Sequence, residues 1–164
     1  MIHTPLCDLL HITHPVVQGG MAWVATAELS AAVSEAGGLG IIGGGNAPPD
    51  YIRAQIHELR RRTDKPFGVN LPLFSEYAEA VVQLCIDERV PVVTTGAGNP
   101  GPYIDRLKTA GALVIPVVAS VALAKRLERA GADALVAEGM ESGGHVGDVA
   151  TLPLVDAVTR AVSI

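Results

Sequence analysis

The 164-residue sequence is poor in aromatic residues, in cysteine and in clustered positive charge. Aromatic residues make up 4% of it, whereas it contains 18 glycines and 11 prolines. That balance favours many short strand–helix units joined by tight turns over a helical bundle. Arg60-Arg61-Arg62 is the one run of three basic residues, and the net charge is -5 at pH 7. The sequence therefore gives no electrostatic indication of a nucleic-acid partner.

The two cysteines, Cys7 and Cys85, are far apart and have no C-x-x-C or histidine spacing around them. We therefore predict reduced thiols, with neither a disulfide framework nor a metal site. The N-terminal segment lacks the basic start and the small-residue cleavage pattern of a signal peptide. The longest apolar run, residues 112–124, contains Pro116 and is too short to span a bilayer. We expect a cytoplasmic protein with no membrane partner.

Short apolar runs rich in valine and isoleucine alternate with longer stretches that have the apolar period of a helix. This alternation is typical of parallel βαβ units. The pattern predicts strands at 15–19, 39–43, 66–70, 90–95, 113–118 and 132–138, and helices at 26–36, 50–62, 76–88, 102–110, 121–130 and 152–162.

Such units form either an open doubly wound sheet or a closed barrel, and their spacing does not distinguish the two. Polar residues and glycines follow nearly every predicted strand. A barrel brings all of these strand ends to one mouth, whereas an open sheet concentrates them at one switch point. The sequence therefore predicts an α/β fold of the (β/α)8 TIM-barrel type, with residues 1–164 as a partial barrel of about six units. Strands seven and eight are expected to be missing through C-terminal truncation.

Candidate binding residues follow two of the predicted strands. The segment Gln18-Gly19-Gly20-Met21 follows the first strand, and its paired glycines let the backbone approach a ligand closely. Asn70 ends the third strand with an amide that can donate and accept hydrogen bonds at the edge of a heterocycle. A tight turn is the alternative interpretation in both places, because glycine and asparagine are common turn residues.

The sharpest local signal follows the sixth predicted strand, from Glu138 to Gly147. His145 lies there among glycines, which have no side chains to bury it. An exposed histidine at a barrel mouth can transfer protons near neutral pH, so His145 is the candidate catalytic residue. Glu138 could orient His145 or a ligand hydroxyl, and a solvated loop carboxylate is the alternative. The other histidines lack such a setting and are expected on the surface: His3, His11, His14 and His57.

Several segments together resemble a known family. The chain resembles the nitronate monooxygenase (2-nitropropane dioxygenase) superfamily of FMN-binding TIM barrels in four segments. In chain order they are Gln18-Gly-Gly-Met, Ala36-Gly-Gly-Leu-Gly, Lys65-Pro-Phe-Gly-Val-Asn and Glu138-Gly-x-Glu-x-Gly-Gly-His. Three further segments resemble the flavin-dependent enoyl-acyl-carrier-protein reductase branch (FabK type) of this superfamily. They are Gly40-Ile-Ile-Gly-Gly-Gly-Asn-Ala-Pro, Val92-Val-Thr-Thr-Gly-Ala-Gly-Asn-Pro and Ile115-Pro-Val-Val-Ala-Ser-Val.

The resemblance implies an oxidoreductase with FMN across the barrel mouth. The residues implied around FMN are Gly19, Gly20, Met21, Asn70, Glu138, Gly143 and Gly144, with His145 as the catalytic residue. In the reductase branch, NADH or NADPH is the reductant, and the substrate is an enoyl thioester of fatty acid synthesis, either small or bound to acyl carrier protein. In the monooxygenase branch, the histidine acts as a base toward a nitroalkane or nitronate, with O2 as oxidant.

The resemblance also implies that loops after strands seven and eight bind the FMN phosphate. A non-catalytic fragment of such a barrel is therefore a further alternative. Members of the reductase branch are often dimers, which makes a second copy of the chain a candidate partner.

Overall fold

The structure is a computed structural model, and it describes residues 2–144 and 146–164. Within these residues, a short N-terminal helix and a second helix precede alternating strands and helices. The helices are α1 (Pro5–Leu10), α2 (Ala27–Glu35), α3 (Pro49–Arg62), α4 (Ala78–Asp87), α5 (Gly101–Thr109), α6 (Val121–Arg129) and α7 (Thr151–Thr159). The strands are β1 (Gly40–Gly43), β2 (Phe67–Pro72), β3 (Val92–Gly96), β4 (Leu113–Val118) and β5 (Val136–Ala137).

The five strands form one parallel sheet in the order β1-β2-β3-β4-β5. Each strand therefore pairs with the next strand along the chain, and each is followed by a helix. A doubly wound sheet reverses its strand order at a switch point, and the described sheet contains no such reversal. The strand order confirms the prediction of a partial TIM barrel.

The sheet has one surface that faces the helices and one that faces the barrel interior. On the helix side, Ile42, Val69 and Val93 belong to a buried cluster with residues of the surrounding helices. On the inner side, Ile41 and Val92 pack with side chains from α1. Because strand residues alternate between the two faces, each inner position recurs two residues further along the strand.

The first predicted strand, 15–19, is wrong in extent, because the structure contains only an isolated parallel bridge between Val17 and Leu39. Gln18 provides the physical reason. Its Nε2 donates to the Ile41 carbonyl oxygen at 3.1 Å, and the Ile41 backbone N–H donates to its Oε1 at 3.3 Å. The side-chain amide thus takes the place beside β1 that a strand backbone would occupy.

The sixth predicted strand, 132–138, is shortened to the two residues of β5. The carboxylate of Asp133 accepts a hydrogen bond from the Val114 backbone N–H at 2.8 Å, and Lys108 Nζ lies 2.7 Å from the same carboxylate. A side chain therefore satisfies a donor of β4 that strand pairing would otherwise use. Regular pairing begins only at Val136, which is paired with Val117.

The sequence pattern does not predict α1, because six residues are too short to show a helical period. Pro5 occupies its first turn, and Cys7 and Leu10 are buried. The other six helices agree with their predicted bounds to within three residues. Of the four histidines expected on the surface, His14 is half-buried and the other three are exposed.

Gly40 is required where β1 meets α2. A Cβ at Gly40 would lie 1.9 Å from the Ser30 carbonyl oxygen, so alanine would push α2 away from the sheet. Overpacking of this kind costs about 1–3 kcal/mol. We expect Gly40→Ala to lower the free energy of unfolding by about that amount in urea denaturation. Gly96→Ala is the matched control, because a Cβ there meets no atom within 4 Å, and an equal loss in both variants would contradict the packing argument.

Both cysteine thiols are buried and free. Burial raises the pKa of the Cys85 thiol to about 12. Because the thiolate is the reactive form, Cys85 should react with a disulfide reagent very slowly in the native protein at about pH 8 and rapidly once urea unfolds the chain. Counting the thiols labelled with and without urea tests this, and rapid native labelling of Cys85 would show that the site is open.

Candidate functional site

The candidate site lies at the carboxyl ends of the parallel strands. The loops after the Val17 bridge, β2, β3 and β5 all leave the sheet at this end, because the strands share one direction. In register, Asn70 of β2 pairs with Thr94 of β3. Thr94 is two residues beyond Val92, so this pair faces the barrel interior near its mouth.

Asn70 contacts residues from two other segments. The Thr94 hydroxyl donates a hydrogen bond to Asn70 Oδ1 at 2.9 Å. This bond orients the amide and leaves its Nδ2 donors for another acceptor. From the other side, a Cβ at Gly20 would lie 2.2 Å from Asn70 Cβ, so only glycine fits there. The structure thus brings the predicted residues Gly20 and Asn70 into direct contact.

Met21 is anchored through its backbone. Its carbonyl oxygen accepts hydrogen bonds from the N–H groups of Val24 at 3.1 Å and Ala25 at 2.8 Å. A Cβ at Gly43, the last residue of β1, would lie 2.4 Å from the same oxygen. The Met21 side chain is 42% exposed. A fixed backbone therefore presents a free apolar side chain at the mouth.

Open space surrounds four glycines that follow or end strands. A Cβ would meet no atom within 4 Å at Gly19, Gly96, Gly143 or Gly144. Their backbone can therefore be approached by a ligand without displacing side chains. This property fits a flat cofactor ring, and it adds Gly96 to the glycines that the sequence predicted. The signal for Gly96 was present in the run Thr94-Thr95-Gly96-Ala97-Gly98 at the end of the fourth predicted strand.

Glu138 directly follows β5 and extends its pairing, because its backbone N–H donates to the Val118 carbonyl oxygen at 2.9 Å. Gly147, later in the loop that follows Glu138, packs against the Glu138 backbone, since a Cβ at Gly147 would lie 2.9 Å from the Glu138 carbonyl oxygen. The strands β3 and β4 separate Glu138 from Asn70. The strand that carries Asn70 and the strand that precedes Glu138 are therefore three positions apart in the sheet. His145 lies outside the described residues, and its role stays a prediction.

Glu141, in the loop after β5, makes contacts that the sequence analysis did not predict. Its Oε2 accepts hydrogen bonds from the Thr151 backbone N–H at 2.8 Å and from the Thr151 hydroxyl at 2.5 Å. These hydrogen bonds lower the pKa of the Glu141 carboxyl. The sequence did contain a signal for the start of this helix. Pro153 lies in the first turn of α7, just after Thr151, and the acidic Glu141 lies upstream of that threonine.

A model of one protein family matches nearly all of the chain. The nitronate monooxygenase model aligns with residues 3–80 and 74–164. The chain belongs to the nitronate monooxygenase family.

Individual relatives within this family differ in their activities. FabK from Thermotoga maritima is 60% identical with a TM-score of 0.99, and the match covers 100% of this chain and 53% of that one. A nitroalkane oxidase from Streptomyces ansochromogenes is 32% identical with a TM-score of 0.88, covering 98% and 59%. A Mycobacterium tuberculosis enzyme, (3aS,4S,5R,7aS)-5-hydroxy-7a-methyl-1-oxo-octahydro-1H-indene-4-carboxyl-CoA dehydrogenase, is 43% identical, covering 99% and 46%. The chain thus spans about half the length of the relatives it matches.

A cavity lies at the opposite end of the sheet from the candidate residues. It has a volume of about 740 Å³, and its walls include Leu10, Arg60, Phe67, Val92 and Leu113. Phe67, Val92 and Leu113 are the first residues of their strands, so this cavity opens at the amino ends. Ligands of TIM barrels bind at the carboxyl ends of the strands, and we therefore place the candidate site at the mouth and not in this cavity.

Two structural properties bear on cofactor and membrane binding. Within residues 2–144 and 146–164, no group of three or more His, Cys, Asp or Glu side chains is arranged to hold a metal ion. In the same part of the chain, no helix is both long enough and apolar enough to cross a membrane.

Adjacent threonines in β3 provide a test of the orientation of Asn70. Thr94→Val removes the hydrogen bond to Asn70, which typically costs about 0.5–1.5 kcal/mol in unfolding free energy. Thr95 is 1% exposed, and its hydroxyl has no partner among the described residues. Thr95→Val removes an unsatisfied buried hydroxyl, so it should leave stability unchanged or raise it. Urea denaturation of both variants measures this, and equal effects would refute the assigned bond.

Proposed function

We propose that these residues form the ring-binding side of the FMN site in an FMN-dependent enoyl-acyl-carrier-protein reductase. The observation that carries the proposal is the 60% identity over the entire chain to FabK of Thermotoga maritima. The corresponding identity to the nitroalkane oxidase is 32%. The family alone supports a flavin-dependent oxidoreductase, and the difference in identity favours the reductase branch.

The residues at the mouth fit a flavin ring. Asn70 offers an oriented amide for the polar edge of the heterocycle, and Gly19 and Gly20 expose backbone beside it. The Met21 side chain supplies an apolar surface for a ring face. Gly143 and Gly144 leave open space on the other side of the mouth, next to the predicted catalytic residue. FMN, when bound there, supplies hydride-transfer chemistry, with NADH or NADPH as the proposed source of electrons.

The protein residues have separate roles in the proposed reaction. Reduction of an enoyl thioester adds a hydride to the β-carbon and a proton to the α-carbon. We assign the proton transfer to His145, because an imidazole can donate a proton near neutral pH. Asn70 orients the cofactor, and Glu138 holds the ribityl chain or the histidine.

The second candidate function is nitronate oxidation, which the matching family model favours. In that reaction, His145 removes the proton from the α-carbon of a nitroalkane, and O2 is the oxidant. The Mycobacterium tuberculosis relative is named for a CoA thioester substrate, which extends the proposed substrate class to thioesters carried by CoA as well as by acyl carrier protein. A homodimer stays a prediction for this chain.

FMN binding is the first test, because the chain spans about half the length of its relatives and turnover depends on the whole protein. We expect residues 1–164 to quench FMN fluorescence on titration. Asn70→Ala should weaken binding about tenfold, which corresponds to the loss of about 1.4 kcal/mol. Gln83→Ala is the matched control, since it removes another amide from the outer surface of α4 and should leave the affinity unchanged. Equal losses in both variants would refute the assigned site, whereas no binding by the wild-type chain would favour the non-catalytic fragment.

Substrate assays then separate the two functions in a preparation that binds FMN. The reductase proposal expects NADH- or NADPH-dependent reduction of crotonyl thioester, with His145→Ala lowering kcat about 10²–10⁴-fold, the usual contribution of general acid–base catalysis. O2-dependent consumption of a nitronate, without thioester reduction, would favour the monooxygenase.

A further inference from the structure

The loop between β5 and α7 is closed at its base. The Met140 backbone N–H donates to the Val149 carbonyl oxygen at 2.9 Å, which joins the two arms of the loop. Next to this bond, Gly139 packs so tightly that a Cβ would lie 2.3 Å from the hydroxyl oxygen of Thr151. The residues between these arms include Gly143, Gly144 and His145, to which the proposed function assigns cofactor contact and proton transfer.

Glu141 adds a charged contact to this base. Its Oε2 accepts both the backbone N–H and the hydroxyl of Thr151, the first residue of α7. Ala150, the N-cap of that helix, provides no side-chain hydrogen bond. Glu141, which lies nine residues upstream of the N-cap, therefore caps the helix in place of Ala150. Its negative charge lies at the positive end of the helix dipole.

We propose that Glu141 is a positioning residue that holds residues 142–144 and 146–147 at the barrel mouth by anchoring the base of their loop to α7. This segment contains three glycines, Gly143, Gly144 and Gly147. Glycine-rich backbone has many accessible conformations, so its placement depends on how firmly its base is fixed. The anchoring follows from the contacts alone, and only what the loop presents to a ligand rests on the proposed function.

Ionisation of Glu141 favours the anchored state. The hydrogen bonds from Thr151 are the largest causes that lower the pKa of its carboxyl below the ordinary 4.5. A carboxyl with a lowered pKa in the folded state contributes its stabilisation above the ordinary value and loses it as the pH falls through the lowered value. The contact is therefore fully formed at neutral pH.

Hydrogen exchange of the chain without cofactor tests the anchoring. Glu141→Ala should speed amide exchange in residues 140–149 about tenfold, while β2, β3 and β4 keep their protection. Glu141→Gln should have a smaller effect, because its amide oxygen can still accept from Thr151. Asp105→Asn removes an exposed carboxylate on α5 and should change nothing in the loop. Unchanged exchange in the loop, or an equal rise throughout the sheet, would overturn the proposal.

Two further measurements separate positioning from a general loss of stability. The Thr151 amide proton resonance should titrate with a midpoint below 4.5 in the wild-type chain and lose this titration in Glu141→Gln. If the wild-type chain binds FMN, Glu141→Ala should weaken that binding, and a loosened loop with unchanged FMN affinity would overturn the positioning role. If the wild-type chain does not bind FMN, the non-catalytic fragment is favoured over the proposed function, while hydrogen exchange still decides whether Glu141 anchors the loop.

Discussion

Close approach of backbone to backbone at glycine is the constraint on which the rest of the structure depends. A Cβ at Gly40 would overlap the Ser30 carbonyl group, and one at Gly43 would overlap the Met21 carbonyl group. A Cβ at Gly139 would overlap the Thr151 backbone, and one at Gly20 would overlap the Asn70 side chain. These contacts set how near the helices and loops lie to the sheet. The absence of a Cβ at these glycines therefore shapes the mouth of the partial barrel as much as the side chains of other residues do.

The glycines divide into two groups with different roles. Those that pack against backbone fix the position of the loops, whereas Gly19, Gly96, Gly143 and Gly144 have open space where a Cβ would be. The sequence does not distinguish these groups, because both occur in runs such as Gly19-Gly20. Only the packing of this loop against β2 shows that Gly20 faces Asn70 while Gly19 faces open space. The glycine runs were therefore recognisable from the sequence as a group, whereas the separate roles of their members were not.

The alternation of apolar runs predicted the fold class correctly, and the parallel order of the strands follows from it. Helix bounds were predictable because the apolar period extends over nine or more residues in α2 to α7. Helix α1 was not predictable in this way, since six residues cover less than two turns. The contact between Glu141 and Thr151 also escaped prediction, because it joins residues ten positions apart through a loop whose conformation no local pattern defines.

The two strand predictions that failed share one physical cause. Gln18 pairs its side-chain amide with the backbone of Ile41, and Asp133 accepts the Val114 backbone N–H with its carboxylate. In each case a polar side chain satisfies a ladder group that a backbone partner would otherwise satisfy, so regular pairing is replaced over that stretch. Both positions lie in the outermost segments of the described sheet. The apolar runs there do not predict burial either, because Val16, Val17 and Val136 are exposed. The extent of a strand in these segments depends on whether a backbone group or a side chain pairs with the neighbouring strand. A glutamine or an aspartate within an apolar run at the end of a βα series is therefore a reason to shorten the predicted strand.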